Sequence, residues 1–194
     1  MLAGRIVRLE PLAPGHDDGL WEAARFPEVW TWVMPAPRTR EEFGAYLAAA
    51  RAAEGEFAFA TVDANEGTPL GMTRYMALRP ADRGLEIGST WLTPSAWQTS
   101  ANAEAKLLQL GYAFDVLGCI RVELKTHAGN ARSRGAMERM GATFEGIHRK
   151  HRVIPGLGIR DTAWYSVTDD DWPDVRAGLE ARLTTRVTGS AERC

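Results

Sequence analysis

Residues 84–127 constrain the fold most, because the apolar period changes twice within them. Residues 84–92 (GLEIGSTWL) read as a strand. Beyond Pro94 the apolar residues fall at Ala103, Leu107, Leu110, Phe114 and Leu117, which is the spacing of one helix face and predicts a helix over 101–117. Residues 119–127 (CIRVELKTH) then alternate Ile120, Val122, Leu124 and Thr126 with Arg121, Glu123, Lys125 and His127, the period of a half-buried strand. When two such strands are neighbours in one sheet, the helix between them must cross over right-handed and the strands must run parallel. A βαβ unit is therefore expected at the centre of the chain.

The flanking segments predict antiparallel structure. Strands are expected at Gly4–Leu12, 56–63, 69–78, 143–154 and 158–167, the last two joined across a Pro155-Gly156 turn signal. Helices are expected at 15–25, after the Thr39/Glu42 capping box, from the Asn130 N-cap to Met140 with Gly141 just beyond, and from Trp172 to Leu183 behind Asp169–Asp171. The segment Phe26–Pro37, with Trp30, Trp32 and three prolines, reads as an ordered loop. No repeat or linker divides the 194 residues, so one domain over 1–194 is expected, with its core at about 4–183 and a frayed tail at 184–194.

Composition excludes several classes. Lys and Arg total 23 against 25 Asp and Glu, a balance that lacks the basic footprint of nucleic-acid binding. Cys119 and Cys194 are the only cysteines, so neither a disulfide framework nor a zinc site is expected, and a reducing cytoplasm is the natural location. MLAGRIVRLEPL lacks the apolar core of a secretory signal, and no run is long enough to span a membrane. Locally the charge is uneven: residues 121–152 carry eight Lys/Arg against three acids. Such a stretch either attracts phosphate or is a solvated face. His148 and His151, three apart on a strand, should point to opposite faces and form no metal pair.

The turn from strand 84–92 into the helix, Pro94-Ser95-Ala96-Trp97-Gln98-Thr99-Ser100-Ala101-Asn102-Ala103, is rich in small residues. These admit either a phosphate close to the backbone at the positive end of the helix or close helix–sheet packing. In this order of elements, Gln98-x-x-Ala101-x-Ala103, Leu85-Glu86-Ile87-Gly88, Arg121-Val122-Glu123-Leu124-Lys125-Thr126, Asn130-x-x-Ser133, Arg160-Asp161-Thr162 and Tyr165-Ser166-Val167 make the chain resemble the GCN5-related N-acetyltransferase (GNAT) superfamily. Within it the chain is similar to the ribosomal-protein-alanine N-acetyltransferase branch, over about residues 4–183.

The resemblance implies a single-domain α/β (α+β) fold: a mixed, mostly antiparallel sheet of six to seven strands around the βαβ unit, with helices on both faces. It implies that acetyl-CoA enters between the diverging strands 84–92 and 119–127. The pyrophosphate would rest on amides of Gln98, Thr99, Ser100, Ala101, Asn102 and Ala103, and the pantetheine arm would pair with Trp91, Leu92 and Thr93. Asn130 would bond the arm from the far side, Ser133 would protonate the leaving thiolate, and Arg132 or Arg134 would approach the phosphates. Ala101 stands where the family has glycine, so its methyl group is expected to crowd a phosphate.

The reaction needs a neutral amine, and Glu86 is the candidate base, on the face shared with Gly88, Thr90 and Leu92. It also reads as a solvated or arginine-paired carboxylate, and Glu123, expected to face solvent, is the reserve. Trp30, Trp32 and Met34 either line an acceptor pocket or pack in the core. Two function classes fit: an acetyltransferase acting on a protein N-terminal amine, a small amine or an antibiotic, and an acyl-CoA-binding module without turnover. Either is compatible with a homodimer, and neither calls for a metal.

Overall fold

Both changes of period are realised in a computed structural model, which describes residues 1–34, 36–154 and 158–191. The elements are β1 (Leu2–Ala3), β2 (Val7–Pro11), α1 (Asp17–Ala24), α2 (Arg40–Ala52), β3 (Phe57–Asp63), β4 (Pro69–Arg79) and β5 (Gly84–Leu92). They continue through α3 (Ala101–Gly111), β6 (Arg121–His127), α4 (Ala131–Met140), β7 (Thr143–Ile154), β8 (Gly158–Thr168) and α5 (Trp172–Ala191). The strands form one sheet in the order β1-β2-β3-β4-β5-β6-β8-β7. Every pairing is antiparallel except β5 with β6, the two strands of the βαβ unit.

Among the described residues eight strands replace the six to seven expected, because Leu2–Ala3, ahead of the first predicted strand, folds back to pair with Arg8 and Leu9. The chain reverses where the Gly4 amide donates to the Val7 carbonyl. The buried Glu104 carboxylate on α3 accepts the amides of Arg5, Ile6 and Val7 at 3.0, 2.6 and 2.7 Å. Alternation cannot signal a reversal held by a residue so distant in sequence. α5 runs on to Ala191 rather than ending at Leu183. α3 passes into a π-helical turn at Tyr112–Val116; the wider turn shifts the phase of the stripe and leaves Leu117 exposed instead of core-facing. The Pro155-Gly156 turn signal lies outside the described residues.

Each face of the sheet is covered by helices. On one, Leu85, Ile87, Leu92 and Leu124 pack with Leu110 and Phe114, and with Leu179 of α5. On the other, Met72 and Trp91 pack with Leu20 of α1 and with Phe43, Tyr46 and Leu47 of α2. The capping box of α2 forms as expected, with the Thr39 hydroxyl accepting the Glu42 amide.

β5 changes face partway along. Leu85 and Ile87 belong to the first core, but after a bulge at Ser89 (φ +46°) Trp91 belongs to the second and Leu92 to the first. The register shows the extra residue, with Arg74 opposite Gly88 but Met72 opposite Trp91. Glu86 therefore shares its face with Gly88 and Trp91, not with Leu92 as strict alternation predicted.

Beside the bulge, parallel pairing stops. Gly84, Leu85 and Glu86 pair with Arg121, Val122 and Glu123, and the ladder goes no further. β5 stays paired with β4 as far as Leu92, and β6 with β8 as far as His127, so the two strands part into a V. Gly71, opposite Leu92, holds one arm of it; a Cβ there would overlap the Trp91 carbonyl oxygen and stand 2.8 Å from the Leu92 Cα. Gly71→Ala should cost about 3 kcal/mol, because the obstacle is backbone and cannot rotate away. Denaturant unfolding should show a lower midpoint with unchanged slope.

Candidate active site

A cleft of about 1300 Å³ fills the V. At one end is the β5–α3 turn, where Gln98 adopts a left-handed conformation at φ +59° and α3 begins at Ala101. The Thr99 hydroxyl donates to the Ala96 carbonyl (2.8 Å) and accepts the Ala101 amide (3.2 Å), fixing the turn. Gln98, Thr99, Asn102 and Ala103 line the cleft. Position in the first turn leaves the Asn102 and Ala103 amides without intrahelical acceptors, which suits an anion.

Two of the six predicted turn residues do not line the cleft. The carbonyl of Ser100 accepts the Glu104 amide, and Ala101 is buried in the first core. The Ala101 methyl group therefore fills space between helix and sheet instead of facing the cleft, contrary to the sequence expectation.

Along β5, Trp91 and Leu92 line the cleft, but the Trp91 ring is core and its indole N–H donates to the Tyr46 hydroxyl at 3.1 Å. The Leu92 carbonyl accepts the Trp97 indole N–H at 2.8 Å. Thr93, expected alongside them, does not line the cleft: its amide donates to the Leu70 carbonyl and its carbonyl accepts from the Ala96 amide.

On the facing wall, the Asn130 side chain caps α4 by accepting the Ser133 amide at 3.1 Å, and Asn130 and Ser133 both line the cleft. Arg132 does too, with its guanidinium 3.8 Å from the Trp97 ring centroid. Arg134 does not. Arg132, Ser133, Ala136 and Met137 form one helix face toward the cleft, so Arg134 turns away, bonding the Tyr165 hydroxyl at 3.1 Å and covering Phe144.

At the other end, Glu86 Oε2 accepts from Lys125 Nζ at 2.9 Å. A Cβ on Gly88 would stand 2.8 Å from Met76 Sδ and 3.1 Å from Glu86 Oε1, so glycine avoids crowding that oxygen from the strand. Lys125 also pairs with Glu123 at 2.9 Å and lies 3.8 Å from the Trp164 ring centroid. Glu123 is buried, not solvent-facing as alternation suggested, because Arg79, Arg121 and Lys125 converge on it. Burial pushes its carboxyl up, but the bonds and charges of these cations outweigh it and hold the group below the usual range.

Of the loop aromatics, Trp32 and Met34 line the cleft, Trp32 against His127 at a ring distance of 4.8 Å. Trp30 is core: it packs on Phe43, Tyr46 and Trp91, and its indole N–H donates to the Ala24 carbonyl. A bulge at Lys150 (φ +51°) turns His148 and His151 to the same side, both against Trp164, which corrects the opposite faces predicted. Among the described residues no group of three metal-binding side chains occurs.

Sequence reasoning missed Lys106, which lies on the apolar stripe of α3 between Ala103 and Leu110. A charge on that stripe was the available signal. Its Nζ, also at the cleft, bonds Gln109 Oε1 at 2.8 Å, Thr90 Oγ1 at 3.1 Å and Thr73 Oγ1 at 3.2 Å, directly beneath the bulge. Without a carboxylate partner, burial pushes this ammonium down to about 7.

Residues 7–143 match the acetyltransferase (GNAT) domain family. A solved GCN5-related N-acetyltransferase from Brucella melitensis is 39% identical, with 93% of this chain and 83% of that one aligned and a TM-score of 0.88. A proposed acetyltransferase from T. thermophilus is 38% identical over 94% and 96% of the two chains, with a TM-score of 0.87. Spermidine N-acetyltransferase from Vibrio cholerae, solved with CoA and spermine, shares the fold at 14% identity, with 87% of this chain and 99% of that one aligned and a TM-score of 0.71. No curated protein sequence matches the chain.

Unfolded, Lys106 titrates near its ordinary 10.5, so between about pH 7 and 10.5 the unfolded chain holds a proton that the folded chain has released. Stability at this site therefore rises with pH through that window, and burial of the charge costs most below it. Measured against Lys106→Met by denaturant midpoints, the native chain should gain ~1 kcal/mol or more between about pH 7 and pH 10; a difference flat with pH would contradict it.

Proposed function

Because this chain belongs to the GNAT acetyltransferase family, we propose that it moves the acetyl group of acetyl-CoA to a primary amine by direct attack, without an acyl-enzyme. The observation that carries this reading is the early end of the β5–β6 ladder. It leaves one edge of β5 open along the cleft, with helix amides and Arg132 at one end and a carboxylate at the other.

In this reading the pyrophosphate rests on the amides of Asn102 and Ala103 beside Arg132. The arm lies along β5 at Trp91 and Leu92, and Asn130 and Ser133 face it from α4. Glu86 Oε1, the oxygen not bonded to Lys125, receives the amine proton directly or through a water. The nitrogen attacks the thioester carbonyl, the carbon–sulfur bond breaks, and Ser133 donates a proton to the leaving thiolate while regaining the one that the nitrogen sheds as the amide forms. Trp32 and Met34 border the acceptor. No acyl-enzyme is needed, and the buried Cys119 is not offered as a nucleophile.

We favour the N-terminal amine of a protein as acceptor, through the resemblance of the motifs to the ribosomal-protein-alanine branch. A proposed ribosomal-protein-serine acetyltransferase from Vibrio cholerae shares the fold at 16% identity. A small amine is the second reading. The compartment we propose is the cytoplasm; among the described residues no helix is long and apolar enough to cross a membrane.

The test is thiol release from acetyl-CoA with a library of amine-terminated peptides and small amines, alongside calorimetric CoA binding. Glu86→Gln should lower kcat/KM about 100-fold with CoA affinity retained. Ser133→Ala should cost about tenfold, less because a thiolate leaves readily. CoA binding without thiol release from any acceptor would identify a binding module instead.

A further inference from the structure

The acceptor end of the cleft has a charge pattern that an amine alone does not explain. Arg152 on β7 and Arg160 on β8 stand directly opposite each other in the antiparallel ladder. Like charges in that relation repel. Both side chains nevertheless line the cleft. Among the described residues neither Arg152 nor Arg160 pairs with a carboxylate, whereas Arg79 and Arg121, at the closed end of the β5–β6 pair, both do. Among the described residues the Arg160 guanidinium makes one bond, from Nε to Thr162 Oγ1 at 3.1 Å, which leaves its terminal amino groups for a ligand.

Glu86 is the one carboxylate among the described residues lining the cleft, and Lys125 already bonds it. Burial pushes the Arg160 guanidinium down and the charge of Arg152 adds to this, while the charge of Glu86 acts in the opposite sense. The arginine pair and the candidate base thus share one neighbourhood. Two guanidinium groups held side by side match the oxygen pairs of a carboxylate or phosphate. A polyamine would instead meet Arg152, Arg160 and Lys125 as like charges.

We infer that the acceptor carries an anionic oxygen group close to its amine, a carboxylate or a phosphate, and that Arg152 and Arg160 are the residues that select it. This rests on the acetyltransferase reading above, and it deepens that reading by naming the acceptor's chemical class. The amine is directed to Glu86 and the anion to the arginine pair, so the two ends of the acceptor are told apart by charge.

Thiol release from acetyl-CoA would be measured with matched acceptors. The pairs are α-amino acids against the corresponding decarboxylated amines, phosphoethanolamine against ethanolamine, and short peptides beginning Ala-Glu against Ala-Lys, with spermidine as a cationic reference. The wild-type protein should favour the anionic member of at least one pair by about tenfold or more in kcat/KM. Which pair responds distinguishes free amino acid, phosphorylated amine and acidic peptide.

Arg160→Gln and Arg152→Gln should each raise KM for that acceptor and reduce the preference, while Arg160→Lys restores part of it. Calorimetric CoA binding to each variant reports that it is folded. Should Arg160→Gln fail to fold, the exposed Arg152 and the wild-type pairs still decide. Equal turnover of both members of every pair, a preference for spermidine, or a preference unchanged in both Gln variants would overturn the inference. Absence of thiol release with every acceptor would overturn the acetyltransferase reading itself.

Discussion

The functional half of this molecule depends on the parting of two parallel strands. β5 and β6 pair through Gly84, Leu85 and Glu86 and then diverge, although each keeps its other neighbour. An unpaired strand edge inside a protein is a row of amides and carbonyls seeking partners. Here that edge faces a cleft rather than another strand, so a ligand with amide groups of its own can complete the sheet. The bulge at Ser89 lies where the separation begins, and it carries β5 from one core to the other within a few residues. Both walls and the contents of the cleft follow from that geometry.

Charges brace the two sides of the opening. Beneath the bulge, Lys106 bonds Thr73, Thr90 and Gln109, tying α3 to β4 and β5 without a carboxylate. At the vertex, Lys125 bridges Glu86 and Glu123 across the last parallel pair, and Arg79 and Arg121 complete the ring around Glu123. Glu104 fastens the other side of α3 to the N-terminal hairpin through three amides. The helix whose first turn lines one end of the cleft is therefore held from both sides, so its amides keep a fixed direction.

Much of this was legible in the residues. The capping box at Thr39, the Asn130 cap and the left-handed Gly141 at the end of α4 all stand where local chemistry places them. Local signals work for such features because both partners lie within one turn of chain. Three other readings failed for one shared reason: periodicity propagates only while each residue advances the chain by the same step. A bulge at Ser89 moved Glu86 off the face of Leu92, a bulge at Lys150 brought His148 and His151 together, and a π turn exposed Leu117. Helix phase, not charge, turned Arg134 from the cleft and left Arg132 on it.

The sequence by itself determined the order of elements, the parallel crossover at their centre and the residues that start and stop the helices. These follow from period, capping and turn chemistry, all short-range. Only the tertiary structure decided where the parallel ladder ends, that the Ala101 methyl points into the core, that Trp30 is packing while Trp32 borders the cleft, and that Arg152 meets Arg160. Each depends on which residues face one another across the sheet. Register and bulges set that pairing over long stretches of chain, and no local pattern of side chains encodes it.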